Sequence, residues 1–364
     1  MAEELFTARF VKNKMILKLI QLENFRSFKK REFKFSFKTC FLLGPNTAGK
    51  TNVLEAIYLL ASGKSFRASQ DTEMIKYESE FSRVKGKIEK DELEIILTRG
   101  EINGKRTNKK LYKINNTPKR LPDFLGSLRA VLFKPEDINL VLGSPSIRRD
   151  YLNLILEQLD WQYRTCLSAY NKGLRQRNKV LSKIREGEAK ESQLTFWNQL
   201  LIKNGQIINQ TREIMIIFYN KQFKDTEIIY DKSPITLQRL EKYKQAELAL
   251  GMTLVGPHRD DFKFLKHKAN GRKDLSLYGS RGEQRLAVLY LKLAELKFVI
   301  QKTNQKPILL LDDIFSELDK KNRKLVIKII NDYQTIITNT GEEIDKDIKK
   351  EIKDSLFIKL NIDN

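Results

Sequence analysis

The chain has 364 residues, of which 41% are hydrophobic. This composition predicts a globular protein with two or three domains and excludes an intrinsically disordered one. The 68 Lys and Arg residues exceed the 46 Asp and Glu residues by 22, an excess that favours a polyanionic partner over the small metabolites of most enzymes. An anionic membrane surface is the alternative explanation.

Several features of the sequence predict a cytoplasmic protein. No apolar run approaches the roughly eighteen residues that a membrane-spanning helix needs. The residues after Met1 lack the basic and apolar regions of a signal peptide. Cys40 and Cys166 lie among apolar neighbours, which indicates reduced core residues. Together with the two histidines, they do not have the ligand spacing of a zinc site.

The N-terminal third of the chain predicts strands. Residues 1–14 are expected to be a loosely ordered extension, because a regular hydrophobic pattern starts only at Met15. A first strand is predicted at 16–22 and a second at 32–37, where every other residue is a Phe that would pack inward. Alternating hydrophobicity and turn signals then predict antiparallel strands at 83–88, 93–98 and 110–114.

Between these strands lies a phosphate-binding loop. It consists of Gly44, Pro45, Asn46, Thr47, Ala48, Gly49, Lys50 and Thr51, and it fits the Walker A pattern G-x-x-x-x-G-K-[ST]. A predicted buried strand at 41–43 and a helical pattern ending at Gly63 give the strand–loop–helix setting that this motif needs. Backbone N–H groups would wrap the phosphates, Lys50 would neutralise them, and the Thr51 hydroxyl would ligate Mg²⁺.

Two stretches of the chain are rich in basic residues. The first lies among the predicted strands and contains Lys105, Arg106, Lys109, Lys110, Lys113, Lys119 and Arg120. The second lies in a pair of antiparallel helices predicted over 147–225 and broken at Gly187; it contains Lys172, Arg175, Arg177, Lys179, Lys183 and Arg185. No acidic residue interrupts this second set, so we expect the helical arm to contact the phosphate backbone of a nucleic acid. An ordinary solvated helix face is the alternative for both stretches.

The α/β pattern returns after residue 250. Helices are predicted at 286–300, 322–330 and 346–354, and strands at 308–311, 335–338 and 356–360. The apolar strand at 308–311 ends in two carboxylates, at the position where α/β sheets bind ligands. Asp312 would hold Mg²⁺ opposite Thr51, and Asp313 would be the catalytic residue that orients the attacking water.

A second motif lies at the start of the helix predicted at 286–300. A capping box explains Ser280 with Glu283, but it explains neither Gly282 nor Gln284. Because a Walker B strand follows, Ser280, Gly282 and Gln284 resemble the signature motif of ABC-type ATPases, which in that class contacts the γ-phosphate bound to a second subunit. Residues 316–319 resemble the D-loop of the same class.

Taken together, these motifs resemble the RecF family of bacterial ABC/SMC-like ATPases over nearly the whole chain from Met15 onward. Besides the signature, the blocks that carry the resemblance are 23–28 (ENFRSF), 44–52 (GPNTAGKTN), 63–67 (GKSFR), 133–137 (FKPED), 148–152 (RRDYL), 256–261 (GPHRDD) and 311–319 (LDDIFSELD). The order of the blocks and the one at 256–261 are specific to this family, whereas the two Walker motifs alone are generic.

The resemblance implies an α/β fold in which a P-loop ATPase head of the ABC/SMC type carries an antiparallel β subdomain and an inserted helical arm. The extension would occupy 1–14, the first part of the head 15–146, the arm 147–250 and the second part of the head 251–364. The cofactors would be ATP and Mg²⁺.

The resemblance also implies a function. The protein would form an ATP-dependent homodimer on duplex DNA and on gapped or single-stranded junctions, and it would have no membrane partner. RecR and RecO would be partners in loading RecA during repair, the SOS response and replication restart. Asp313 stands where most ABC ATPases have a glutamate. Residues 338–340 (Thr-Asn-Thr) stand where they have the switch histidine, so a slow, switch-like ATPase is implied.

Three other interpretations remain open. The ATPase subunit of an ABC transporter would have the same motifs, usually in a shorter chain without a basic helical insertion. A structural DNA tether of the SMC or RecN type would carry longer coiled coils. A P-loop kinase would not need a signature at Ser280.

Overall fold

The computed structural model describes residues 15–268, 271–317, 319–339, 351–352 and 354–361. The extension predicted at 1–14 and most of the helix predicted at 346–354 lie outside these residues. The chain divides into two compact units, the first comprising Met1–Asp137 with Glu295–Asn364 and the second Ile138–Ala294. The domain limits expected from the sequence, after residues 146 and 250, stay a prediction.

The strands of the described residues are, in chain order, β1 (Leu19–Phe25), β2 (Phe28–Lys34), β3 (Thr39–Leu43), β4 (Phe81–Lys87), β5 (Glu92–Thr98), β6 (Glu101–Ile102), β7 (Lys105–Arg106), β8 (Lys110–Ile114), β9 (Thr117–Lys119), β10 (Ala130–Phe133), β11 (Thr226–Asp231), β12 (Asp261–Lys268), β13 (Gly271–Asp274), β14 (Ile308–Asp312), β15 (Thr335–Asn339) and β16 (Ser355–Lys359).

The α-helices of the same residues are α1 (Lys50–Ser62), α2 (Leu121–Phe124), α3 (Asn139–Leu142), α4 (Pro145–Leu159), α5 (Trp161–Arg185), α6 (Leu194–Gln222), α7 (Leu237–Leu250), α8 (Leu275–Tyr278), α9 (Arg281–Thr303), α10 (Ile314–Glu317) and α11 (Lys320–Ile330). None of them is both long and apolar enough to cross a membrane.

The first unit contains two large sheets with one helix packed against both, and the small β6–β7 hairpin. Five strands form a parallel sheet in the order β10-β14-β15-β3-β16, and six form an antiparallel sheet in the order β2-β1-β4-β5-β8-β9. Helix α1 contacts strands of both sheets and shares one hydrophobic core with them. Because the helix is covered on both sides, eleven of its thirteen residues are buried. The predicted α/β fold with an antiparallel β subdomain is confirmed.

The second predicted strand is displaced from its expected position. Strand β2 spans Phe28–Lys34 and not 32–37. Phe33 and Phe35 are buried as predicted, but the prediction for Phe37 was wrong, since its side chain is 58% exposed. The reason is that the strand ends three residues earlier and the chain turns into β3 of the other sheet.

In the second unit, α5 and α6 form the predicted antiparallel hairpin. Gly173 of α5 lies against Leu200 and Leu201 of α6. The tip of the hairpin includes Gly187, whose φ of 79° favours a residue without a Cβ. The first helix predicted in this region is divided into two, α4 and α5, which meet at Asp160. There the Asp160 carboxylate accepts a hydrogen bond from Tyr163 N at 3.1 Å and caps α5. The small sheet β11-β12-β13 was not predicted.

The family block at 256–261 holds the second unit together through Asp260, which is buried. Its carboxylate accepts hydrogen bonds from Arg212 Nη1 at 2.7 Å, Asn209 Nδ2 at 2.8 Å, Ser233 N at 2.8 Å and the Tyr230 hydroxyl. We refer to these five residues as the Asp260 cluster. The next residue, Asp261, binds Arg148 of α4 through two hydrogen bonds of 2.6 and 2.9 Å. The two acidic residues of this block therefore tie β12 to helices α4 and α6.

His258 in the same block is a structural residue. Its Nε2 donates a hydrogen bond to the Thr253 carbonyl oxygen at 3.1 Å, so its Nδ1 is the acceptor for the Tyr170 hydroxyl at 2.8 Å. Burial, with a smaller effect of nearby guanidinium groups, lowers the pKa of His258 to about 4. Gly256 allows this packing, because a Cβ there would lie 2.2 Å from the Tyr170 hydroxyl oxygen.

Candidate functional site

The phosphate loop lies between β3 and α1 of the first unit, as predicted. Strand β3 is fully buried and ends at Leu43, and α1 begins at Lys50. Gly49 has a φ of 88°, and a Cβ there would lie 2.6 Å from the Phe28 ring. At Gly44 a Cβ would lie 2.3 Å from the Leu360 carbonyl oxygen. Both glycines of the motif are therefore required by the fold, and they leave the N–H groups at the start of α1 available to an anion.

The loop residues between the glycines differ in exposure. Pro45, Asn46 and Thr47 are exposed, whereas Ala48 is buried. Thr47 has a φ of 75°, a conformation that a β-branched residue adopts rarely. Such backbone strain is typical of functional loops, where the surrounding structure maintains it.

The side chain of Lys50 packs against the phosphate loop. Its Nζ donates hydrogen bonds of 2.7 Å to the carbonyl oxygens of Gly44 and Pro45. Burial lowers the pKa of this ammonium group, and the nearby carboxylates of Asp313 and Asp312 oppose that effect. The lysine is thus anchored beside the loop, with two carboxylates close enough to influence its charge.

Asp312 at the end of β14 meets the phosphate loop across the sheet. Its Oδ1 accepts hydrogen bonds from the Thr51 hydroxyl at 2.9 Å and from the Thr338 hydroxyl at 2.7 Å. The strand order places β14, β15 and β3 side by side, so their carboxyl ends converge on this point. The structure therefore brings together the two residues that the sequence assigned to Mg²⁺.

Asp313, the residue after Asp312, has an unusual backbone conformation. Its φ is 47°, in the left-handed region, and its backbone N–H donates a hydrogen bond to Thr338 Oγ1 at 3.0 Å. One threonine hydroxyl therefore donates to Asp312 and accepts from Asp313. The sequence placed Thr338 at the end of a predicted strand, where a switch histidine is missing. The pairing of that strand with β14, which gives Thr338 its role, is a property of the fold.

The side chains at this point fit a magnesium ion by their chemistry. A threonine hydroxyl and a carboxylate are hard oxygen donors, which Mg²⁺ prefers. Within the described ranges no group of three or more His, Cys, Asp and Glu side chains is placed to hold a metal. An ion bound by Thr51 and Asp312 would therefore take its other ligands from water and from a nucleotide, as Mg²⁺ does in P-loop proteins.

Two polar contacts beside the loop were not identified from the sequence. Arg26 binds both carboxylate oxygens of Glu55, at 2.6 and 2.8 Å, and Glu55 is completely buried in α1. Asn52 accepts a hydrogen bond from Arg67 Nη1 at 3.2 Å and donates one to Ser27 at 3.0 Å. Because Asn52 follows Thr51 directly, the exposed Arg67 guanidinium lies near the first turn of α1.

The three signature residues lie in the second unit, at the start of α9. The predicted capping box is present: Ser280 N donates to Glu283 Oε2 at 2.9 Å, and Glu283 N donates to Ser280 Oγ at 3.3 Å. The hydrogen bond from Ser280 N, followed by those from Lys266 and Lys273, holds the pKa of Glu283 well below its usual range. Ser280 itself is exposed.

The other two signature residues have features that the fold of this chain does not explain. Gly282 is exposed, and a Cβ there would meet no atom within 4 Å. Gln284 is buried; its Nε2 donates to the Leu275 carbonyl oxygen at 2.8 Å, but its Oε1 has no hydrogen-bond partner among the described residues. A helix-disfavouring glycine and an unpaired buried oxygen are unusual in a segment with a purely structural role.

Comparison with known sequences shows extensive similarity. The family model described as the RecF/RecN/SMC N terminal domain matches residues 16–353. The chain is 39% identical over 344 residues to the DNA replication and repair protein RecF of Lachnoclostridium phytofermentans, covering 90% of this chain and 94% of that protein. It is 35% identical over 367 residues to the same protein of Bacillus thuringiensis, covering 93% and 96%.

Solved structures show the same relationship. The chain is similar to RecF–ATPrS, a recombination mediator protein in the RecFOR pathway, with a TM-score of 0.82 and 33% identity over 96% of this chain and 97% of that chain. For RecF–ATP the TM-score is 0.81, with 34% identity over 92% and 94%. An Smc head domain from Pyrococcus furiosus shares the fold, with a TM-score of 0.50 at 17% identity over 95% and 94%.

Proposed function

The chain belongs to the RecF family, and from this membership we propose that it is an ATP-dependent DNA-binding protein that acts as a recombination mediator. The main structural observation in support of this proposal is the hydrogen bond between Thr51 and Asp312. It joins a phosphate-binding loop to a carboxylate at the end of a parallel strand, which is the arrangement that P-loop ATPases need.

ATP is the proposed nucleotide, bound through its phosphates at the loop from Gly44 to Thr51. The N–H groups at the start of α1 would bind phosphate oxygens, and Lys50 would exchange its two carbonyl partners for the β- and γ-phosphates. Arg67 is exposed near the same turn and would add a positive charge. The related RecF structures with ATP and ATPrS support this choice of nucleotide.

Mg²⁺ would be held by Thr51 and Asp312 and would supply charge neutralisation at the β- and γ-phosphates. Asp313 is the proposed catalytic residue, which would accept a hydrogen bond from the attacking water. Thr338 fixes the backbone of Asp313 and thereby limits where its carboxylate can point. An aspartate is one methylene shorter than the glutamate of most ABC ATPases, so we propose slow turnover, suited to a switch.

Ser280, Gly282 and Gln284 are proposed to complete the site of a second copy of the chain. Exposure of Ser280 and the open space around Gly282 support close approach of another molecule at this point. A glycine in the first turn of α9 costs helix stability of roughly 0.5–1 kcal/mol relative to alanine. We propose that a glycine is present despite this cost because the γ-phosphate of the ATP bound to the second copy has to come close to the backbone of Gly282.

DNA is the proposed macromolecular partner, as the excess of 22 positive charges supports. We propose that the ATP-bound dimer binds duplex DNA at gaps and single-stranded junctions. There it would help to load RecA, together with RecR and RecO, in repair, the SOS response and replication restart. Membership in the RecF family and the description of its relative as a mediator in the RecFOR pathway support these partners.

The test is fluorescence anisotropy with labelled duplex DNA, with and without ATP and Mg²⁺, for the parent and for Ser280→Arg. We expect ATP to strengthen DNA binding of the parent and to promote its dimerisation in gel filtration. Ser280→Arg should abolish both effects while leaving ATP binding to the monomer intact, because the phosphate loop is unchanged.

A matched control is Ser192→Arg, which adds the same side chain at another exposed serine of the second unit. This variant should behave as the parent does. If DNA binding is indifferent to ATP in the parent, or if the two serine variants behave alike, the ATP-dependent dimer is contradicted.

A further inference from the structure

We propose that one face of α5 contacts the phosphate backbone of duplex DNA through Lys172, Arg175, Lys179 and Lys183, which we call the α5 stripe. This inference rests on the proposed DNA-binding function and deepens it, because it assigns the contact to one of the two basic stretches of the sequence.

The spacing of the four residues places them on one face of the helix. Successive steps of three, four and four residues stay close to the 3.6 residues of a helical turn. From Lys172 to Lys183 the stripe is ~16 Å long, since each helical residue rises 1.5 Å. All four side chains are exposed, and the 25 residues of α5 include no Asp or Glu. The stripe is therefore a continuous positive surface.

The structure separates the stripe from the other two basic residues of this stretch. Arg177 is 2% exposed and forms a buried ion pair with Glu247 at 2.7 Å, so it cannot contact DNA. Arg185 lies 3.6 Å from the Glu186 carboxylate at the tip of the hairpin. In contrast, no side chain of the stripe forms a hydrogen bond or ion pair within the described part of the chain. Its charges are therefore available to an external anion.

The basic stretch among the strands is a weaker candidate. Lys110, Lys113 and Arg120 are occupied by ion pairs with Asp71, Glu94 and Asp123 at 2.7 to 3.0 Å. The remaining four, Lys105, Arg106, Lys109 and Lys119, are distributed over two strands and a loop. In addition, Glu101 lies directly opposite Arg106 in the β6–β7 hairpin, which reduces the positive charge there.

Duplex DNA fits the stripe better than single-stranded DNA. Each strand of a duplex carries one phosphate per 3.4 Å of helix axis, so a rigid stripe of ~16 Å spans about five phosphates of one strand. Proteins that bind single strands combine positive charge with aromatic side chains on which bases stack. The residues of the stripe provide charge alone.

The experiment measures duplex binding by anisotropy over a KCl series, with ATP and Mg²⁺ present. The test variant of the full chain combines Lys172→Gln, Arg175→Gln, Lys179→Gln and Lys183→Gln, since glutamine keeps a high helix propensity. The matched control replaces Lys105, Arg106, Lys109 and Lys119 by glutamine and so removes the same charge. Two half variants, with either the first two or the last two substitutions of the stripe, guard against misfolding of the fourfold variant.

We expect the stripe variant to bind more weakly and the slope of log K against log salt to become shallower by about 3 to 4 units, or 0.9 per lost phosphate contact. Each half variant should lose about half of this, and the control should keep the slope of the parent. An unchanged slope in the stripe variant, or an equal change in the control, overturns the inference.

Two further readouts separate the alternatives. Cosedimentation with phosphatidylserine vesicles tests the membrane surface, and loss of vesicle binding with unchanged DNA binding overturns the inference. A parent that binds no DNA contradicts the proposed function itself. A parent with ATP-dependent binding that the stripe variant retains contradicts only the assignment to α5.

Discussion

Thr51 and Asp312 are 261 positions apart in the sequence, yet the threonine hydroxyl donates a 2.9 Å hydrogen bond to the aspartate. The contact depends on the strand order, because β15 lies between β14, which ends at Asp312, and β3, which leads into the loop that contains Thr51. The proposed nucleotide site is therefore a property of the assembled sheet and not of either motif alone.

The two neighbouring aspartates are predicted to have different roles. Asp312→Asn removes a charged Mg²⁺ ligand and should weaken Mg²⁺-dependent ATP binding by roughly tenfold or more. Asp313→Asn should leave binding unchanged and lower kcat by roughly 10²- to 10⁴-fold, the range for a lost general base. Equilibrium binding of a fluorescent ATP analogue and steady-state ATPase assays distinguish the two. If both variants lose binding equally, the separate assignment of metal and water is wrong.

Thr338→Val tests the hydroxyl that links Asp312 and Asp313. Valine keeps the shape of the side chain but removes the donor to Asp312 and the acceptor for Asp313 N. We expect a loss of about 1–3 kcal/mol in the free energy of unfolding and a lower kcat with little change in ATP affinity. The control is Thr335→Val on the same strand, whose hydroxyl makes longer hydrogen bonds of 3.3 and 3.5 Å. It should leave kcat unchanged.

Asp260→Asn should destabilise the protein strongly, because the buried guanidinium of Arg212 would lose its only carboxylate partner recorded in the described residues. Breaking a buried ion pair by neutralising one member costs about 3–5 kcal/mol. Urea unfolding followed by circular dichroism measures the change. Asp231→Asn removes the same charge at an exposed position and should change stability by less than about 0.5 kcal/mol. Similar stabilities of the two variants would show that the Asp260 cluster is not important for the fold.

His258 predicts a pH dependence of stability. Its pKa of about 4 in the folded protein lies below the ordinary value of 6.5, so the unfolded chain binds the proton more tightly. The stabilising contribution is therefore complete above pH 6.5 and is lost as the pH falls from 6.5 towards 4, by up to about 3 kcal/mol. Urea unfolding at pH 7, 6 and 5 should show a smaller pH dependence for His258→Asn than for the parent.

The second histidine of the chain provides the control for this pH series. His267 is 43% exposed, and His267→Asn should keep the pH dependence of the parent. If the His258 and His267 variants have the same dependence, other groups cause the loss of stability at low pH.

The sequence was most informative where a function depends on consecutive residues. The phosphate loop and Asp312 follow from local patterns, a glycine-containing loop before a helix and an apolar strand ending in a carboxylate. The role of Thr338 could not be predicted, because it depends on which strand lies beside β14. Arg177 was grouped with the residues expected to contact phosphate, but its partner Glu247 lies 70 positions away and buries it. Asp260 is similar, since its partners come from α6, from β11 and from the loop after β11.

The order of strands in the parallel sheet has a consequence for biosynthesis. Strand β3 pairs with β15 and β16, both of which leave the ribosome roughly 300 residues after it. Pairing of such distant segments is slow. An apolar strand is prone to aggregation until its partner strands have been synthesised and have paired with it. The first unit can be completed only after translation has nearly ended, whereas all of Ile138–Ala294 is already available to fold. We therefore expect ribosome-bound chains that stop before β14 to contain a folded second unit and no capacity to retain ATP.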